Sequence, residues 1–331
     1  MKEGKISKKE SRAISMVRVI GTVMIFLLHL SFLWDNTVVN VFSQFLGVGV
    51  PVFFIISGYV LSIKGFSGSY FSWLKKRLDR LLPSYYIVLL LLLISKMIIG
   101  KDIRWDSFIN NVFLFQGFNE NYFSGAAHLW FMTHIVLCYL LFPLILRLRD
   151  IYKKNQALFT LSLCSFYFIG LFLLSIYSRA ILCTVFASVC SFSLGVILLK
   201  TFLILRKYWL CLVIIFGIGL RLVTKIYLEE QVLYERFFAP ISIQFIAIGL
   251  TGILFIIGSS TLVQKISLFW KSLLFIDKIS YEIYLIHVPI IYIISSIWSD
   301  IPRVVFVLTV VLATMLLSWL ISSLLKEMRR K

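Results

Sequence analysis

Ten apolar runs, each long enough to cross a lipid bilayer, restrict what this chain of 331 residues can fold into. A spanning helix needs about 20 predominantly apolar residues, and only helices or closed barrels satisfy their backbone hydrogen bonds inside a bilayer. Hydrophobic residues make up 60% of the chain and charged residues 15%, against roughly 45–50% and about 25% in soluble domains. This composition excludes a soluble enzyme, a disordered protein and an ordinary nucleic-acid-binding protein. We therefore predict an all-α polytopic membrane protein, a bundle of about ten transmembrane helices in which residues 1–331 form one domain, with spans at 13–34, 41–63, 80–99, 128–148, 157–177, 180–200, 208–226, 240–258, 278–299 and 302–325.

Lysine and arginine are divided unequally between the segments that connect these runs. The segments on the side of the N-terminus carry 24 of them and the segments on the other side carry five. Such an excess is typical of cytoplasmic loops, so it explains the net charge of +18 by membrane orientation. We expect a multi-pass protein of the cytoplasmic (inner) membrane, with the basic segments 1–12 and 326–331 both cytoplasmic. The first run is too long for a signal peptide and lacks a small-residue cleavage site, so we interpret it as a retained helix.

The cysteines give no sign of a disulfide framework or a metal site. All five lie inside apolar runs and no pair has CxxC spacing. We interpret them as small packing residues and expect no metal cofactor. The five are Cys138, Cys164, Cys183, Cys190 and Cys211.

Two titratable residues lie inside the first run, where a charge costs about 2.5–3.5 kcal/mol and often marks function. Arg18 and His29 are 11 positions apart. This spacing places them on one helix face, separated by about 16 Å along the axis. Histidine is the side chain best suited to accept a proton near neutral pH. The alternative is that Arg18 reaches the lipid headgroups and that His29 hydrogen-bonds a neighbouring helix.

Other polar residues cluster near the ends of later runs. Arg77 and Arg80 project together at i and i+3, which suits either a phosphate-bearing ligand or anionic lipid. Tyr284 and His287 share a face in the same way, and Glu282 nearby needs a cationic partner or a wet cavity. The fourth run begins with His128 and Trp130, which suit a substrate site or, alternatively, a solvated histidine and an interfacial aromatic anchor.

The second run combines Gly47, Gly49 and Pro51 near its start with Ser57 and Gly58 further along. Glycine and proline loosen a helix start, and small residues permit either close helix packing or a break that lines a cavity.

Five motifs follow one another across about residues 12–290: Arg18 with His29, GVGVPVFFIISGYVLS at 47–62, Arg77-x-x-Arg80 followed by LLPSYY, HLWF at 128–131 and ISYEIYLIH at 279–287. In this order they are similar to the motifs of the integral-membrane acyltransferases of family three, which O-acylate cell-envelope sugars. The helix count agrees with that family as well. Ser15 departs from the pattern, since many members carry an acidic residue three positions before the arginine.

The resemblance implies transfer of an acyl group, usually acetyl, from cytoplasmic acyl-CoA to a hydroxyl of a cell-surface or lipid-linked polysaccharide. It implies that His29 is catalytic and that Arg18, Arg77 and Arg80 bind or position the donor. We add to the catalytic group Ser57 and Tyr284, or loosened backbone near Gly58, as oxyanion donors, together with His287. We assign His128, Trp130 and Glu282 to substrate binding.

We expect direct transfer without a covalent enzyme intermediate, because His29 can act as the base that activates a sugar hydroxyl. Two other classes of protein fit the bundle less well. A transporter of an envelope glycan would usually show an inverted repeat, which the sequence lacks. A sensor or scaffold subunit would be expected to carry a cytoplasmic domain, and we find no such segment in the sequence.

Overall fold

The computed structural model describes residues 6–34, 36–65, 68–203, 207–228, 231–298 and 301–329. Parts of the predicted basic ends, residues 1–5 and 330–331, lie outside the described residues. All regular secondary structure in the described part is helical, which confirms the all-α prediction. In chain order the α-helices are α1 Lys8–Ser31, α2 Thr37–Leu46, α3 Gly49–Lys64, α4 Tyr70–Ile99, α5 Trp105–Val112, α6 Gln116–Asn119, α7 Trp130–Tyr152, α8 Gln156–Tyr177, α9 Ala180–Ile197, α10 Leu199–Phe202, α11 Lys207–Leu228, α12 Ala239–Ser259, α13 Thr261–Gln264, α14 Ser267–Ile297 and α15 Arg303–Met328.

Within the described residues, ten helical segments are long and apolar enough to cross a membrane, as predicted. They are built on α1, α2 with α3, α4, α7, α8, α9, α11, α12, α14 and α15. The second span is broken between Leu46 and Gly49, where the sequence predicted a loosened helix start. A short 3-10 turn at Ala127–Leu129 leads into α7, and a π-helical turn at Tyr234–Phe238 leads into α12.

Two predicted boundaries are wrong by about ten residues. α4 begins at Tyr70 instead of 80, and α14 begins at Ser267 instead of 278. Each added segment carries charged residues that hydropathy assigns to a loop, yet each packs a large aromatic side chain inward. Trp73 is 7% exposed and Trp270 is 2% exposed. The helices therefore extend beyond the apolar runs as amphipathic segments.

An even number of crossings brings the start of α1 and the end of α15 to one side of the bundle. We call this the terminal side and the opposite one the far side. α1 begins with a capping box between Ser7 and Glu10 and runs from the terminal side to the far side. It packs on α3, α12 and α14 in the interior of the bundle. Arg18 therefore lies nearer the terminal side and His29 near the far end of the same helix.

α3 and α9 lie against each other through two glycines. A methyl group built on Gly58 would come 2.1 Å from the Phe192 carbonyl oxygen, and one built on Gly195 would come 1.9 Å from the Ile55 carbonyl oxygen. Since real side chains never approach backbone so closely, only glycine permits this contact. Gly58 therefore serves close helix packing, one of the two interpretations of its motif.

Candidate active site

Three histidines from three separate segments meet near the far side of the bundle. His29 lies in the last turn of α1, His128 in the 3-10 turn before α7, and His287 within α14. Their ring centroids are 4.9 Å apart for His29 and His287, 5.1 Å for His128 and His287, and 6.0 Å for His29 and His128. These residues are far apart in the sequence, and the fold brings them into one cluster.

Hydrogen bonds define which nitrogen of His29 carries its proton. His287 Nδ1 lies 3.0 Å and 2.8 Å from the carbonyl oxygens of Ile283 and Tyr284, so it donates and its Nε2 must accept. His29 Nδ1 lies 3.1 Å from that Nε2 and 2.9 Å from the Ile25 carbonyl oxygen, so it donates to both. In the neutral imidazole the Nε2 atom of His29 is then left with a lone pair.

His128 and Tyr284 hold each other in place beside this pair. The Tyr284 hydroxyl donates to the main-chain carbonyl of His128, and His128 Nε2 donates to the Leu285 carbonyl at 3.0 Å. The phenolic proton of Tyr284 is therefore engaged by the backbone rather than directed at a reacting group. His128 is 4% exposed, which contradicts the reading of it as a solvated side chain.

The three imidazoles do not converge on a common point. Two of their ring N–H groups are directed at backbone carbonyls of α14, and one at a neighbouring imidazole. In the part of the chain that the structure describes, no group of three His, Cys, Asp or Glu side chains has the geometry of a metal site.

A cavity of about 330 Å³ lies next to the histidines. This is near the lower end of the range for small-molecule sites, about 300–1,000 Å³. His29, His128, Trp130 and Tyr284 line it, whereas Ser57 and Glu282 are not among its lining residues. The other lining residues are Ile25, Leu28, Gly47, Val50, Pro51, Phe54, Thr184, Ala187, Ser188, Ser191, Glu235, Ala239, Pro240, Ile243 and Gln244.

A second polar group lies toward the terminal side, around Arg18. The Nη2 atom of Arg18 is 3.1 Å from Oδ2 of Asp277 on α14, and the Ser15 hydroxyl donates to the same oxygen at 2.7 Å. A carboxylate on another helix is thus the partner of both Arg18 and Ser15. Sequence reasoning missed Asp277 because the ninth span was started at 278. Helical spacing from Asp277 through Tyr281 to Tyr284 offered a signal.

Two arginines of α4, Arg77 and Arg80, join this group. Arg80 interacts electrostatically with both Arg18 and Arg77. The Arg77 guanidinium carbon lies 5.5 Å from the ring centroid of Trp73, a cation–π distance. Arg18, Arg77 and Arg80 therefore form one positively charged group, in which Asp277 pairs with Arg18.

A family model described as an acyltransferase domain matches residues 11–323. The chain belongs to acyltransferase family three. Because its described residues include ten helical segments that could cross a membrane, it is a membrane acyltransferase. The chain matches no curated protein and no solved structure.

In this family-three acyltransferase, four of the five motifs contribute to the cavity wall. The cavity residues that they supply are His29, then Gly47, Val50, Pro51 and Phe54, then His128 with Trp130, and Tyr284. The remaining motif, with Arg77 and Arg80, lies in the arginine group instead. Motifs that are far apart in the sequence therefore form two polar groups, one at each end of α1.

Glu282 belongs with the arginine group of this acyltransferase rather than with His128 and Trp130. Its Oε1 accepts a hydrogen bond of 3.0 Å from the Ser84 hydroxyl, and Arg80 and Arg329 interact with it electrostatically. The cationic partners that the sequence led us to expect are therefore present. Glu282, which the sequence analysis assigned to substrate binding, therefore lies in the arginine group and not at the cavity.

The remaining predicted residues have simpler positions. Trp130 faces the cavity and its ring lies 4.7 Å from that of His134, which hydrogen-bonds Ser188 and the Gly117 carbonyl. Ser57 is half-buried on α3, next to the glycine that contacts α9. Three cavity residues that sequence reasoning did not single out as site residues are Ser191, Glu235 and Gln244.

Proposed function

We propose that this membrane acyltransferase transfers an acetyl or similar short acyl group from cytoplasmic acyl-CoA to a hydroxyl of a cell-surface or lipid-linked polysaccharide. In this proposal His29 is the general base. Arg18, Arg77 and Arg80 receive the phosphates of the donor, and His128 and Trp130 contact the acceptor. The arrangement of the two polar groups along α1 supports these assignments.

The distribution of charge supports entry of the donor from the terminal side. Lysines and arginines are concentrated in the segments on that side, which the positive-inside rule assigns to the cytoplasm. Coenzyme A carries phosphates, and guanidinium groups bind phosphates bidentately. The separation of Arg18 and His29 along α1, about 16 Å, matches a ligand whose thin arm carries the thioester into the bundle.

The chemical step uses the free nitrogen of His29. Its Nε2 atom accepts the proton of the sugar hydroxyl while the oxygen attacks the thioester carbonyl carbon. The tetrahedral intermediate then expels the coenzyme A thiolate, the C–S bond breaks, and the imidazolium returns its proton to the sulfur. The acyl group thus passes directly from sulfur to oxygen, and the enzyme ends unchanged.

The single observation that carries this proposal is the state of His29 at the cavity. A hydrogen-bonded Nδ1 leaves Nε2 as the acceptor, and the side chain lines a cavity that also holds Trp130 and polar groups. A general base must lie within reach of the proton it removes. An unprotonated nitrogen at a cavity wall meets that requirement.

Mass spectrometry of the envelope glycan tests the proposal. Cells with the wild-type protein should carry an acyl mass on the glycan that is missing without the protein. In the His29→Gln variant the rate of acyl transfer should fall about 10²–10⁴-fold. The acyl mass should then be missing although the glycan still reaches the surface.

Three results would count against the proposal. Loss of glycan export with acylation intact would favour a transporter, and full acylation by His29→Gln would remove His29 as the base. An acetyl-histidine trapped with acetyl-CoA alone would contradict direct transfer.

A further inference from the structure

Gln244 presents an unused hydrogen-bond donor at the cavity. Its side chain lies on α12 and is only 5% exposed, and it lines the cavity with His29. The Ser191 Oγ atom lies 2.6 Å from the Oε1 atom of Gln244 and 2.8 Å from the Ala187 carbonyl oxygen, so its one proton is shared between them, and this contact orients the amide. Its Nε2 atom is buried and has no hydrogen-bond partner among the described residues. A buried donor without a partner costs stability, so its retention points to a ligand that supplies the acceptor.

Glu235, on the π-helical turn before α12, provides a hydrogen-bond acceptor where Gln244 provides a donor. This side chain is exposed and also lines the cavity, so it marks a point where the cavity meets solvent. A carboxylate accepts hydrogen bonds and donates none. The cavity therefore offers an amide donor at Gln244 and a carboxylate acceptor at Glu235, which together suit a ligand rich in hydroxyl groups.

Charge in the cavity restricts the ligand further. Among the described residues, the cavity lining contains no lysine or arginine, and Glu235 is its one carboxylate. An anionic sugar would face that carboxylate without a compensating cation, which is unfavourable. Trp130 adds an aromatic face on the same wall, and a volume of about 330 Å³ limits the ligand to a small group.

We propose that this cavity is an acceptor subsite for one uncharged sugar ring, in which Gln244 Nε2 donates to a ring substituent, Glu235 accepts from a hydroxyl at the mouth and Trp130 covers an apolar face. Ser191 is a positioning residue that keeps the amide donor directed at the ligand. This inference rests on the proposed function and specifies its acceptor as neutral. Glu235 and Gln244 set that specificity.

Saturation-transfer difference NMR on the full-length protein in lipid nanodiscs tests the subsite without any donor. The probes are methyl glycosides of glucose, galactose, mannose and N-acetylglucosamine, with the methyl glycosides of glucuronic and galacturonic acid as size-matched anions. We expect at least one neutral probe to bind and both uronides to bind about tenfold more weakly. Binding of no neutral probe, or equal binding of a uronide, would overturn the proposal.

Variants then assign the roles. Gln244→Leu should weaken binding of the neutral probe about tenfold. The variant should be at least as thermally stable as the wild type, because an unsatisfied hydrogen-bond donor is removed. Glu235→Gln should raise uronide binding relative to the neutral probe. Gln156→Leu, at the exposed start of α8, is the matched control and should change nothing.

Ser191→Ala provides a second test of the subsite if the Gln244→Leu variant does not fold. It leaves Gln244 in place but removes the hydrogen bond that orients it, so we expect a smaller loss of neutral-sugar binding. Unchanged binding in every folded Gln244 and Ser191 variant would overturn the subsite. The failure of the proposed function is seen separately, as an envelope glycan whose acyl mass does not depend on the protein.

Discussion

His29 Nδ1 and His287 Nε2 lie 3.1 Å apart, so one imidazole–imidazole hydrogen bond joins the last turn of α1 to α14. His287 is itself held by two backbone carbonyls of its own helix. The direction of this hydrogen bond is therefore set by the backbone of α14. It leaves Nε2 of His29 free, so in the proposed function His29 is the base and His287 is a positioning residue.

His287→Ala should lower kcat about tenfold, the effect of one hydrogen bond that orients the base. The KM for acetyl-CoA should stay within twofold, because we propose that the donor phosphates bind Arg18, Arg77 and Arg80. His287→Gln should recover part of the loss, since its amide oxygen can accept from His29 Nδ1. Steady-state kinetics of acyl transfer checks this. An alanine variant with wild-type kcat, or with weakened donor binding, would contradict the positioning role.

Asp277→Asn should lower the free energy of unfolding by about 1–3 kcal/mol, because it removes the charge that Arg18 and Ser15 share. The side chain of Asp277 is 12% exposed, so hydration by solvent cannot fully replace the lost ion pair with Arg18. Adding Ser15→Asp should restore stability by returning a carboxylate to the neighbourhood of Arg18. Thermal unfolding in nanodiscs measures both effects.

The control for the Asp277 prediction is Asp150→Asn. That carboxylate pairs with Arg149 and Lys153 at the surface and is 55% exposed. An exposed pair contributes little to stability, so the unfolding temperature should hardly move. A Ser15→Asp, Asp277→Asn double variant no more stable than the single one would contradict the shared-carboxylate interpretation.

Arg80→Gln should weaken binding of acetyl-CoA by about 10–100-fold, since a hydrogen bond to a charged group contributes about 1.5–3 kcal/mol. The same variant should bind S-acetylpantetheine, which lacks phosphates, as the wild type does. Arg104→Gln, on the far side and well exposed, is the control. Isothermal titration of both ligands checks the prediction. Equal losses for the two ligands would show that Arg80 does not act on phosphate.

Gly58→Ala should reduce the amount of folded protein and destabilise it by about 1–3 kcal/mol or more, because the added methyl group meets the backbone of α9. Gly219→Ala is the matched control, since nothing lies within 4 Å of a methyl group at that helical position. Fluorescence-detected size-exclusion chromatography and thermal unfolding measure the difference. Equal behaviour of the two variants would contradict the close α3–α9 contact.

The number of spans and their approximate positions could be predicted, because bilayer thickness translates directly into apolar length. The ends of α4 and α14 could not, because Trp73 and Trp270 are buried by neighbouring helices that hydropathy does not see. Those ends matter to the candidate site. Asp277 lies in the segment that the sequence assigned to a loop, and so its partnership with Arg18 went unnoticed.

The candidate site divides in the same way. Arg18 and His29 could be assigned to one helix face, because both lie on one regular helix with a known rotation per residue. That His128 and His287 meet His29 depends on how three segments pack, and no local spacing records it. Gln244 was missed because a single glutamine in an apolar run carries no signal until its neighbours are known.

The amino-acid sequence by itself determined that the protein is an all-α membrane bundle and which residue types are expensive to bury, since both follow from local transfer free energies and helix geometry. Only the tertiary structure decided the partners of those residues: Asp277 for Arg18, His287 for His29, and Ser191 for Gln244. The physical reason is that a buried polar side chain is satisfied by whichever helix lies beside it, and helix packing is a property of the whole chain.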